Sequence, residues 1–65
     1  MTGRVVKWDP GRAFGFIAVA GSPDFYVHAS DVVDRIWEGI TVEFTPGRAR
    51  GKPRAYQVRR VKAEG

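Results

Sequence analysis

Short runs rich in Val, Ile, Phe, Tyr and Trp recur between Gly, Pro and Asp clusters along this 65-residue chain, and no sustained 3.6-residue period appears anywhere in it. That rhythm belongs to strands. The first run, Arg4 to Trp8, closes on Asp9, Pro10 and Gly11, where proline fixes φ and glycine supplies positive φ. Phe14 to Val19 closes on Gly21, Ser22 and Pro23, and Phe25 to His28 opens into the acidic stretch Ala29 to Gly39. Thr41 to Thr45 stops at Pro46 and Gly47, and Ala55 to Val61 is entered through Gly51 and Pro53. The expected strands cover about residues 4–9, 14–19, 24–28, 41–46 and 54–61, with a single helical turn after His28 capped by Ser30. An open sheet this small would leave long unpaired edges, so the expected fold is all-β, a closed or partly closed five-stranded barrel.

Period two divides the second run into Phe14, Phe16 and Ala18 on one face and Gly15, Ile17 and Val19 on the other. In the third run Tyr26 and His28 oppose Phe25 and Val27. If Ile17, Val19, Phe25 and Val27 form the core, three rings and an imidazole share the outer face. A monomer gains nothing from such a patch unless something packs on it. Gly15 between two exposed rings is expected to let a flat ligand lie close to the sheet. A bulge is expected in the first strand, because Val5, Val6 and Trp8 do not partition cleanly.

Charge follows the same division. Residues 1–47 hold four basic and six acidic side chains, net −2, whereas residues 48–65 hold seven basic and one acidic, net +6. Rings flanked by Lys7, Arg12 and this basic segment form a stacking platform beside phosphate partners, which suits unpaired nucleic acid. A duplex hides its base faces, so single strands are favoured. Arg48, Arg50, Lys52 and Arg54 are expected to meet phosphates together. Asp24 either accepts from a base edge or caps the loop before the third strand, and Tyr56 is expected to pack in the core or at an edge. Charging His28 would tighten polyanion binding below pH 7.

At Gly3-Arg-Val-Val-Lys-Trp8, Arg12-Ala-Phe-Gly-Phe-Ile17 and Asp24-Phe-Tyr-Val-His28 the chain resembles the bacterial cold-shock domain, a five-stranded antiparallel OB-fold barrel. Trp37-Glu-Gly-Ile-Thr-Val-Glu-Phe44 and Lys52-Pro-Arg-Ala55 are similar to its fourth strand and the approach to its fifth. The resemblance spans essentially the whole chain and implies a single cold-shock-type domain over residues 1–65. It further implies that Lys7, Trp8, Arg12, Phe14, Phe16, Tyr26 and His28 bind nucleic acid; which of Arg48, Arg50, Lys52 and Arg54 matches the family's loop arginine stays open, because Lys52 stands where a glycine is usual. Departures are specific: Asp9 and Ala29 stand where rings are usual, Ala13 replaces a glycine, and the segment after His28 is short. A smaller platform with more arginine contact is therefore expected. Trp37 has two readings, a ring reaching over the platform or a lid on the core.

The expected function is single-stranded RNA or DNA binding as a nucleic-acid chaperone. The alternative is a protein-interaction barrel docking an extended peptide on the same rings. No cysteine, one histidine and no carboxylate pair or glycine-rich phosphate loop argue against an enzyme, a metal or a cofactor. The absence of a signal-like or membrane-length apolar run favours a cytoplasmic monomer with no membrane partner and no small-molecule substrate.

Overall fold

The computed structural model describes residues 1–61. Lys62 and Glu64, part of the basic-segment reading, lie outside the described residues. The elements are β1 (Thr2–Asp9), β2 (Phe14–Ala18), β3 (Phe25–His28), a 3-10 turn (Ala29–Asp31), β4 (Thr41–Ala49) and β5 (Lys52–Arg60). They close into an OB-type barrel in the order β1-β2-β3-β5-β4. Four of its ladders are antiparallel. The closing seam, β3 against β5, is parallel and rests on the single pair Tyr26 and Arg54. Among the described residues no helix is long and apolar enough to cross a membrane.

Inward residues of every strand meet in one small core: Val5, Ile17, Phe25, Val27, Val42, Phe44, Ala55 and Val58, with Ile36 added from the segment between the turn and β4. Phe25 and Phe44 pack at 5.0 Å between centroids and supply its aromatic bulk. The face assignment of β2 and β3 follows the alternation, with Ile17, Phe25 and Val27 buried and Val19 packed against them. The segment carrying Ile36 is stitched down by backbone bonds. Val33 donates to the Val58 carbonyl at 2.8 Å, Gly39 to that of Val5 at 2.8 Å, and Val5 to that of Ile40 at 3.0 Å.

Several boundaries differ from the sequence reading. Pro46 and Gly47 do not stop β4, which runs on to Ala49, and β5 begins at Lys52. β1 accompanies β4 only over Thr41–Glu43, so Pro46 falls where one edge of the strand is open and its missing N–H breaks no ladder on that side. The expected bulge in β1 is present. Register shifts between Val5 and Lys7, leaving Val6 outside the pairing. A second shift opposite Glu43 and Thr45 falls on β5, where Gln57 has φ 51°. It lets both Ala55 and Val58 point inward although they are three residues apart. The turn after β3 is capped by His28 rather than Ser30: Nδ1 of His28 accepts the Ser30 N–H at 3.1 Å.

Candidate functional site

Phe14 and Phe16 stand two residues apart on β2, opposite His28 and Tyr26 on β3, so strand register alone brings four ring side chains onto one outer face. Phe14 and Phe16 meet edge to face at 5.9 Å. Phe14 and Tyr26 are near parallel, 19° apart at 6.1 Å, and Phe16 and Tyr26 are again edge to face at 5.9 Å. All four are half-buried, and Phe14, Phe16 and Tyr26 brace one another while leaving ring surface open. Lys7, opposite Phe16 on β1, holds its ammonium 5.8 Å from the Phe14 centroid. Arg12 is exposed in the β1–β2 turn, where its N–H donates to Asp9 Oδ1 at 3.2 Å.

β5 extends this face. Arg54 places its guanidinium 5.6 Å from the Tyr26 centroid and 5.3 Å from that of Tyr56. Both distances are within cation–π range. Its Nη2 donates to Asp31 Oδ2 at 2.9 Å, and this pairing raises the Arg54 pKa above its ordinary value. Tyr56 lies against bare backbone at Gly47, where a Cβ would stand 2.6 Å from Tyr56 Cε2. Its hydroxyl donates to the Arg48 carbonyl at 3.4 Å. An open groove of about 520 Å³ joins Phe16 and Tyr26 to Ala49, Arg50, Lys52, Pro53 and Arg54. The basic hairpin therefore forms one wall of the ring face.

Tyr56, expected to pack in the core or at an edge, lies against Gly47 of the neighbouring strand and also bounds the face through Arg54. Its position two residues beyond Arg54 on a strand carried that signal, as did its alternation with Ala55. Asp31 carries no sequence signal for its role, because only the fold brings the turn against β5.

Other expected residues lie elsewhere. Trp8 faces the opposite side of β1 from Lys7, half-buried against the core, and pairs with Gly15. A Cβ on Gly15 would stand 2.7 Å from Trp8 Cε3 and closer still to the Lys7 carbonyl oxygen. The glycine therefore serves the close approach of β1 rather than of a ligand, because it points inward between the rings. Trp37 neither covers the platform nor lids the core: it is 46% exposed, with the Arg60 guanidinium 5.4 Å from its ring, beside Ile40, Thr41 and Val61. The tie of its segment to β1 and β5 holds it there. Asp24 is exposed just before β3, and among the described residues no side-chain hydrogen bond ties it to the loop. His28 is engaged through Nδ1, which accepts the Ser30 N–H and also lies 2.9 Å from Ser30 Oγ.

The chain is thus a closed five-stranded OB-type barrel that carries a ring cluster outside β2 and β3, walled by a basic hairpin. No family model matches the chain. It is 40% identical over 63 residues to the cold shock-like protein CspB of Yersinia pestis, an alignment covering 89% of this chain and 90% of that protein. The similarity to the cold shock-like protein CspB of Yersinia enterocolitica has the same extent. The chain belongs to the cold-shock protein family.

Proposed function

We propose that the protein binds single-stranded RNA or DNA by stacking bases on Phe14, Phe16 and Tyr26 while cations take the phosphates. Membership of a family whose members generally bind nucleic acid supports this reading. The observation that carries it is the mutual packing of the three rings, all within 6.1 Å of one another on an outward face bordered by Lys7, Arg50, Lys52 and Arg54. Every base offers a π-face, and each stacked base contributes roughly 1–3 kcal/mol without reading sequence. A strand held this way is unavailable for hairpins, which is the chaperone activity. The protein is not an enzyme in this reading, and it acts as a single domain.

The test is a titration with oligothymidine or oligouridine at low salt, followed by tryptophan fluorescence, beside the same titration with duplex. Quenching by single strands at much lower concentration than by duplex is expected. Equal affinity for duplex, or no binding, sinks the proposal. Trp8 is the reporter: its indole turns inward, but it pairs with Gly15 between Phe14 and Phe16 and so lies directly beneath the ring face, whereas Trp37 lies with Arg60. Quenching should therefore survive Trp37→Phe.

A further inference from the structure

Arg54 is the cation placed deepest among the rings, between Tyr26 and Tyr56, and it is already paired. Among the described residues its contact with Asp31 is the only salt bridge. Both side chains are about a quarter exposed, at 27% and 23%, so the pair is partly sheltered from water yet open to exchange. A carboxylate and a phosphate present similar oxygens to a guanidinium and compete for the same donors. Arg54 Nε is buried and has no hydrogen-bond partner, so Asp31 satisfies the guanidinium only in part.

We infer that Asp31 is an intramolecular competitor for the nucleic-acid strand, its carboxylate occupying in the free protein the Arg54 donor that a strand phosphate takes in the complex. This rests on the proposed function. The 3-10 turn at the end of β3 supplies the competitor, and the neighbouring β5 supplies the cation. Loading a strand then exchanges one anion for another at Arg54, so this arginine adds less to affinity than its place among the rings allows. A binder that must release its strand gains from such a limit. Asp31 is accordingly a residue that sets affinity from outside the contact surface.

The experiment compares oligothymidine binding by wild type, Asp31→Asn, Arg54→Ala and the double variant at low salt, with circular dichroism to check folding. Asp31→Asn keeps the shape of the side chain and should tighten binding about three- to tenfold. In the Arg54→Ala background the same change should move affinity by less than about twofold, because the competition has lost its object. Asp34→Asn, whose carboxylate accepts the Arg60 N–H at 3.2 Å, removes an equal charge away from the rings and should also change affinity less than about twofold. Asp31→Ser must shift affinity in the same direction if the effect is not peculiar to asparagine. Unchanged or weaker binding by folded Asp31→Asn would falsify the competition and make Asp31 a positioning group. An equal gain in the Arg54→Ala background overturns it as well, by reducing the effect to net charge. If neither wild type nor Asp31→Asn binds, the functional reading fails and takes this inference with it. Binding by Asp31→Asn alone supports both.

Discussion

Half-burial gives Phe14 and Phe16 two roles that mutation separates. The two rings meet edge to face, Phe16 meets Tyr26 the same way and Phe14 lies near parallel to it, contacts worth about 0.5–1.5 kcal/mol each beyond area burial. Phe14→Ala or Phe16→Ala should lose roughly 1–3 kcal/mol of oligothymidine binding, read from titration, while the melting transition stays cooperative and falls only modestly. Loss of the fold would mean that the rings belong to the core. Gly15, one residue between them, predicts the opposite: Gly15→Ala drives a Cβ into the Lys7 backbone and the Trp8 ring and should destabilise by about 1–3 kcal/mol in denaturant unfolding. These two assignments were legible at different depths. Strand alternation places the rings outward with no knowledge of neighbours, but the reason for the glycine needs the β1 register, which the Val6 bulge hides from any simple period. Trp37 was beyond such reading altogether, because an indole in an irregular segment has no period and its place is fixed by the bonds tying that segment to Val5 and Val58.

At the scale of elements, the β4–β5 hairpin is where backbone preference and charge disagree. Ala49 pairs with Lys52 across the two-residue loop Arg50-Gly51, whose φ angles are 54° and 78°. Two positive φ values mark a type I′ turn, which favours asparagine before glycine. Arginine there carries the strain of a left-handed conformation while standing at the wall of the groove. Arg50→Asn should therefore raise stability by about 0.5–1 kcal/mol in thermal unfolding and weaken oligothymidine binding at low salt. A stabilised variant with unchanged affinity would remove Arg50 from the interface. Ala13, at φ 62° before β2, offers the matching case without charge: Ala13→Gly should stabilise by about 0.5–1 kcal/mol and leave binding nearly unchanged. The sequence makes the loop of this hairpin too long, because Pro46 and Gly47 look like a stop. Both lie inside β4, Pro46 where the strand has a free edge and Gly47 where Tyr56 needs bare backbone.

For the whole molecule, the charge division of the sequence becomes a spatial one. The described part of the basic segment runs through the hairpin and along β5, with Arg50, Lys52 and Arg54 at the groove beside Phe16 and Tyr26 and Arg60 with Trp37. A barrel this small has no depth for a pocket, so binding must come from its outer surface, and rings alone would give affinity that salt hardly changes. Cations on phosphates behave differently, because each neutralised phosphate releases condensed counterion and contributes about −0.7 to the slope of log affinity against log salt on a single strand. If four phosphates are met, the slope is about −3. Removing Arg50 or Lys52 by alanine substitution should lower its magnitude by about 0.7 each, with base preference unaltered, because phosphates carry no sequence. Phe16→Ala should instead shift the whole line downward and leave its slope in place. Peptide docking on the same rings predicts near-zero slope throughout, and a salt series on wild type and these variants separates the two modes on one plot.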